Sequence, residues 1–241
     1  MYEKLNGIVL HVIRYSDKNS IAHIFTDTRG RMAFLVPQGS TKSARLRNAL
    51  FMPLSIIEFE GRIIPGKSIH SFKDAQSKFP LARIYSDPVK NAIAMFVSEL
   101  LSRSIQESEE NRGLFQFLET TIRLLDDMDE GVGNFHIWFL YNLGIFLGIQ
   151  PDVETYRNGY WFDMLNGVFT PSRPLSTNVL APREARVIAL LARMTFSNLH
   201  RYKFNRVQRN EILDTALTYY RLHNSTLGAL RSPEILKQLF E

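Results

Sequence analysis

Two stretches of this sequence bring cations, hydroxyls and aromatic rings together in a way that suits a polyphosphate ligand. The first is Gln38-Gly39-Ser40-Thr41-Lys42-Ser43-Ala44-Arg45-Leu46-Arg47. Gly39 and the small polar side chains let a backbone approach closely. Lys42, Arg45 and Arg47 supply positive charge, and hydroxyls and peptide N–H groups bond phosphate oxygens. In the second, Arg201, Lys203, Arg206 and Arg209 are interleaved with Tyr202 and Phe204, a mixture fit for phosphate contact and base stacking. Each stretch also has a plainer reading, as a solvated loop or a basic link between helices.

Charge segregation extends both signals. From Thr28 to Ile57 there is no Asp or Glu, while Arg29, Arg31, Lys42, Arg45 and Arg47 all fall there. Between Arg183 and Arg209 seven Arg or Lys accompany one acid, Glu184. The acids gather instead at Glu107, Glu109 and Glu110 and at Asp126, Asp127, Asp129 and Glu130. The net charge of +5 modestly favours polyanion binding. Arg29 and Arg31 therefore join the expected DNA-binding set of Lys42, Arg45, Arg47, Arg201, Lys203, Arg206 and Arg209.

Nothing comparable points to catalysis. GxSxG, HExxH, P-loop and GxGxxG patterns are missing. His11, His23, His70, His136, His200 and His223 show no pair at metal-ligand spacing, and each reads as a partly exposed or internally satisfied side chain. The acidic patches could house a two-metal nuclease site, but they fall where helices end and begin, as solvated loops and caps do. The absence of cysteine excludes disulfides and thiolate metal sites and is compatible with a reducing cytosol. No catalytic residue, cofactor or metal is expected. The longest apolar run, Phe135 to Ile149, falls short of the roughly 20 residues that span a bilayer and is interrupted by His136, Asn142 and two glycines. The opening MYEKLNGIVL has no signal-peptide pattern. A cytoplasmic, nucleoid-associated protein without membrane contact is expected.

The elements that must carry these residues change character near Pro80. Five short runs rich in β-branched residues, at 7–15, 20–27, 31–39, 53–61 and 67–75, are separated by turn-prone stretches. They suit a five-stranded OB-fold barrel, with a helical or irregular link over Arg45 to Phe51. Phe25, Phe34, Phe51 and Phe59 read mostly as its core. Asp87-Pro88 then starts a helix, and Val89, Ile93, Phe96, Val97, Leu100 and Leu101 build one apolar face. Leu114, Phe117, Leu118, Thr121, Ile122 and Leu125 repeat the pattern, and 135–148 is apolar nearly all round, as a buried central helix is. Residues 149–181 read as an irregular insert with a hairpin. Helices resume at about 182–197 and 208–223, and the last starts at Ser232-Pro233-Glu234 and buries Ile235, Leu236, Leu239 and Phe240. On Tyr219-Tyr220-Arg221-Leu222-His223 adjacent side chains point apart, so some are buried. The fold class is α+β: an OB-fold at 1–80, then an α-helical domain at 81–241.

In order and spacing, GIVL at 7–10, Tyr15-Ser16-Asp17, Ile24-Phe25-Thr26, Gly30-Arg31, Gly39, Lys42-Ser43, Leu46, Leu50 and Pro53 resemble the opening of the RecO family. The resemblance continues through Glu99-Leu100-Leu101, Phe135 to Gly144, Tyr219 to His223 and Leu230 to Leu236. It implies a mediator of DNA repair and recombination that binds single- and double-stranded DNA, anneals complementary strands and helps load recombinase. The partners it implies are RecR and the C-terminal tail of single-strand-binding protein. Many members carry a four-cysteine zinc site in the insert. This chain has Tyr156 and Phe162-Asp163 there, so packing around Tyr160, Trp161, Phe162 and Phe169 is expected to replace it. Some relatives have arginine just before the central helix, where this chain has Gly133 and Asn134. Arg103 or Arg123, with Phe135 and Trp138, are the candidate partner-binding residues. The alternative to a DNA-binding mediator is a protein-interaction scaffold with little DNA affinity of its own.

Overall fold

Five strands close into a barrel in the order β1-β2-β3-β5-β4 in the computed structural model, which describes residues 2–39, 41, 48–106 and 109–239. They are β1 (Tyr2–Arg14), β2 (Asn19–Thr26), β3 (Gly30–Pro37), β4 (Ile56–Arg62) and β5 (Ile69–Ser77). A bulge between Val9 and His11 bends β1. Its first half pairs with β4, from Tyr2↔Arg62 to Ile8↔Ile56, while from Gly7 to Arg14 it pairs with β2. The barrel closes through parallel pairing of β3 with β5 at Ala33↔Ile69 and Phe34↔His70. This is the expected OB-fold. Its first strand begins five residues earlier than the β-branched run, because Tyr2 to Asn6 find partners in β4. Conversely, β4 starts only at Ile56, since Pro53 has no N–H to give a ladder and Leu54 turns the chain at φ +64°.

Leu5, Val9, Ala22, Ile24, Phe34, Val36, Phe51, Ile57 and Phe59 fill the barrel. Gly7 is required there, because a Cβ would stand 2.4 Å from Ile24 Cγ2. Of the expected link before β4, Arg45 to Arg47 lie outside the described residues, and Asn48 and Ala49 are helical.

Three helices belong to the same compact unit as the barrel, which extends to Asp127: α1 (Ala82–Ser86), α2 (Pro88–Ser104) and α3 (Arg112–Asp127). The Asp87 carboxylate accepts from the N–H groups of Val89 and Lys90 and so caps α2. The apolar face of α2 is buried, and Ser98 Oγ donates to the Leu10 carbonyl of β1. From α3, Phe115 lies 6.2 Å from Phe25 of β2. The outer side of β1 and β2 is thereby covered along part of its length. Asp126 is not the solvated cap the sequence suggested. It is buried, and its Oδ1 accepts from Ile84 N, a first-turn donor of α1 that Leu81 at the N-cap cannot satisfy. Lys90, only 2% exposed, donates from Nζ to the Asp126 carbonyl, and Arg83 donates to the Asp127 carbonyl, so α3 ends on two cationic donors.

The second compact unit runs from Met128 onward. Its central helix is α4 (Phe135–Phe146), buried over Phe135 to Leu140. The insert holds β6 (Trp161–Asp163), β7 (Val168–Thr170) and a third strand, β8 (Val179–Leu180), in the order β7-β6-β8. The sequence indicated the hairpin but not β8, which is two residues long. Phe162 and Phe169 pack at 4.7 Å in a cluster with Met164, Ala185, Ile188, Ala189 and Tyr219, and Tyr160 borders it. Trp161 lies outside that cluster, with the Arg173 guanidinium 5.8 Å over its ring.

Helices α5 (Pro182–Leu191), α6 (Arg206–His223) and α7 (Ser232–Leu239) complete the unit. The helix at Pro182 stops at Leu191, short of the expected 197, and a 3-10 turn follows at Phe196–Arg201. Tyr219 and Tyr220 are buried, and the Tyr220 hydroxyl donates to the Leu140 carbonyl. On α7, Leu236 is buried, but Ile235 and Leu239 are exposed, contrary to expectation, and Phe240 lies outside the described residues.

Candidate nucleic-acid interface

The strongest sequence signal is anchored at one end of the barrel. The β1–β2 turn is held by Tyr15 N and Ser16 N donating to the Asn19 carbonyl at 3.1 and 2.9 Å. Gln38, just beyond β3, donates from its N–H to the Lys18 carbonyl at 2.7 Å, and Asn48 Nδ2 donates to Gln38 Oε1 at 3.0 Å. The acid-free segment thus leaves and rejoins the described fold beside a turn that carries Lys18 and Tyr15, which is 64% exposed. Lys42, Arg45 and Arg47 themselves lie outside the described residues. Residues 1–80 hold twelve Lys or Arg against six Asp or Glu.

Charge is unevenly spread over the barrel. On β4 and β5, Glu60 pairs with Lys73 at 2.9 Å, Asp74 approaches the same ammonium at 3.5 Å, and Glu58 is exposed nearby. Three carboxylates there face the two ammonium groups of Lys4 and Lys73. Arg29 forms a two-pronged, exposed pair with Glu3 at 2.8–3.1 Å, an interaction worth at most about 1 kcal/mol and readily exchanged. Arg31 is half-buried, and its Nη1 donates to the carbonyls of Ser102 and Ile105 at 2.7 Å each. It closes the C-terminal end of α2, where unpaired carbonyls favour a cation.

In the second unit the other stretch is built on a buried amide. Asn134 Nδ2 donates to the carbonyls of Leu199 and Tyr202 at 3.1 and 2.7 Å and holds the 3-10 turn in place. Asn205 and Gln208 then cap α6 reciprocally at 2.9 Å. Between these anchors Arg201, Lys203 and Arg206 are exposed, and the half-buried rings of Tyr202 and Phe204 sit 6.0 Å apart. Arg209 differs from its neighbours. It is half-buried and donates to the Phe204 carbonyl at 2.5 Å. His136 is wholly buried, and desolvation, with a smaller contribution from Arg209, pushes its pKa down to about 3. Arg183, Arg186 and Arg193 are further exposed cations of this unit, marked beforehand only by the charge run.

Of the four residues expected to receive a partner, Arg103 and Arg123 belong to the first unit and Phe135 and Trp138 to the second. Phe135 and Trp138 are buried, Phe135 stacked on Phe139 and Trp138 edge-on to Phe196. The Arg123 guanidinium lies 4.2 Å over the Phe79 ring. Arg103 is exposed at the edge of a cleft of about 510 Å³ between β1 and α2. One feature escaped sequence reasoning altogether: His11 and His23, twelve positions apart, face each other across β1 and β2 with rings stacked at 6.4 Å.

Among the described residues no three His, Asp or Glu side chains converge as a metal site, and no helix is long and apolar enough to cross a membrane. The insert has no thiolate to offer zinc, and its Asp163 carboxylate accepts from Leu165 N, Asn166 N and Asn166 Nδ2 within the β6–β7 turn. Its donor set does not fit the four-cysteine centre.

Comparison with known proteins agrees along the whole chain. The family models described as "Recombination protein O N terminal" and "Recombination protein O C terminal" match residues 1–80 and 85–226. A protein of Phocaeicola vulgatus named DNA repair protein RecO is 42% identical over 240 residues, covering all of both chains. A Bacteroides fragilis protein of the same name is 41% identical over 242 residues, again over the full length of both. One from Porphyromonas gingivalis is 34% identical over 98% of each chain. With both halves matched in order and identities of 34–42% along essentially the full length of these relatives, this chain belongs to the RecO family.

Proposed function

We propose that the chain is a non-enzymatic mediator of DNA repair and homologous recombination. It binds single- and double-stranded DNA, anneals complementary strands and helps load recombinase onto strands coated by single-strand-binding protein. The observation that carries this reading is the cationic excess of the barrel, with its acid-free segment rooted beside the exposed β1–β2 turn. OB-folds engage oligonucleotides through such a turn and the neighbouring strands. Membership of a family of DNA repair proteins supports it. The barrel at 1–80 is the DNA-binding part. The exposed Arg201, Lys203 and Arg206 add a second contact. Residues 81–241, with the cysteine-free insert at 149–181, serve RecR and the tail of single-strand-binding protein, in a cytoplasmic, nucleoid-associated setting.

An annealing assay tests the activity. Complementary oligonucleotides coated with single-strand-binding protein are expected to anneal at least about tenfold faster with the protein than without, since a cationic surface removes phosphate repulsion. Annealing at the uncatalysed rate despite tight DNA binding would leave only the scaffold reading.

A further inference from the structure

We propose that the outer face of β1, β2 and β3 at His11, His23 and Arg31, together with Arg103 of α2, is a phosphate subsite for the bound DNA strand, and that its two histidines make the grip depend on pH. This rests on the DNA-binding reading above and adds residues and a regulation to it.

Strand register places the row. Ala22, Ile24 and Phe34 point into the barrel, so their neighbours His23, Phe25 and Ala33 point out. His11 pairs with His23, and His23 with Ala33. Phe25, opposite Arg31, is covered by Phe115 of α3. One step the other way, Ile13 and Leu35 flank Ile21, and beyond them lies the Tyr15–Lys18 turn with Gln38. From Asn19 to His23 along β2 is roughly 13 Å at the usual strand rise. A short strand leaving the root of the basic segment therefore crosses Ile13 and Leu35 and meets the histidines where the helical cover begins.

The cleft between β1 and α2 opens at that border. His11, Arg31, Met95, Glu99 and Arg103 line it. Arg31 and Arg103 face His11 from β3 and α2, and Glu99 is the one anion among them; His23 faces Arg31 and His11. Arg31 is held by two helix carbonyls, so its charge is fixed in place before any ligand arrives. Partial burial first, and Arg31 second, lower the pKa of both rings, which keeps them neutral near pH 7. A phosphate entering the cleft reverses that balance. It pairs with the arginines and favours the imidazolium form, which donates from both ring nitrogens. Binding therefore takes up protons and strengthens as pH falls. An acidic peptide would meet the same cations, but the row runs on into the turn that carries the exposed Tyr15 and Lys18, which suits a continuous polyphosphate chain.

The test is affinity of the full chain for oligothymidylate, whose bases do not titrate in this range, at pH 8.0 and 5.5. Wild type is expected to bind at least about fivefold tighter at the lower pH, and the affinity of a His11→Gln/His23→Gln variant to change less than about twofold between the two pH values. In parallel, NMR titration of the wild-type histidine rings needs no variant and should show both pKa values rising on addition of the oligonucleotide. The proposal is overturned by a double variant that keeps the full pH response, or by loss of that response in a His200→Gln control. It is equally overturned by rings that shift with inorganic phosphate or an acidic peptide but not with the oligonucleotide. Binding at pH 8.0 reports separately on DNA recognition itself.

Discussion

Replacing Lys42, Arg45 and Arg47 together with Ala should weaken binding of single-stranded DNA at least about tenfold at low salt. It should also reduce the slope of log affinity against log salt by about two, since each phosphate neutralised on a single strand contributes about 0.7. Gln38 and Asn48, which tie the segment's ends to the barrel, are untouched, so the melting temperature should hold. Fluorescence anisotropy across a salt series measures both quantities. Wild-type affinity in the triple variant would show that the acid-free run is merely a solvated surface. A smaller loss spread evenly over Arg201, Lys203 and Arg206 variants would shift the main contact to the second unit.

The second large effect concerns stability. His136 is neutral and buried in the folded chain, with a pKa of about 3 against an ordinary 6.5. Below pH 6.5 the unfolded chain takes up a proton that the folded chain refuses. Stability from this group is complete above that pH and is lost as pH falls toward 3, by about 1.4 kcal/mol per unit. Between pH 7 and 4.5 the loss should reach roughly 2–3 kcal/mol. Urea unfolding of wild type and a His136→Phe variant at both pH values separates this from the carboxylates, which both proteins share. Wild type should lose that much more than the variant. Parallel losses would mean that the ring is solvated or charged in the folded state.

The parts of this molecule that could be read from sequence are those set by neighbours along the chain. Alternation and turn residues marked all five barrel strands. Asp87-Pro88 marked the start of α2 because capping is local: the carboxylate reaches N–H groups two and three residues on. What escaped depends on partners brought close by topology. Arg31 was legible as a cation, but the carbonyls that fix its guanidinium are 71 and 74 positions away. Asp126 looked like a solvated acid, but its N–H partner is 42 positions earlier. His11 and His23 became a pair only through the bulge after Val9, which sets their register.

Burial on short helices was equally hard to read. Ile235 and Leu239 share the apolar spacing of α7 with Leu236, but the eight-residue helix covers only part of that stripe. Periodicity identifies an apolar face without saying how much of it finds a neighbour. The same limit applies to Phe135 and Trp138, whose types suit an interface anchor. Both are buried inside the second unit, Phe135 stacked on Phe139 and Trp138 edge-on to Phe196.

The most direct test of the account is the salt dependence of oligothymidylate binding by the unmodified chain between about 50 and 300 mM salt. If Lys42, Arg45, Arg47, Arg201, Lys203 and Arg206 all neutralise phosphates, affinity should fall with a log–log slope near −4, and near −2 if the barrel segment acts alone. No measurable binding at the lowest salt, or an affinity indifferent to salt, would contradict it.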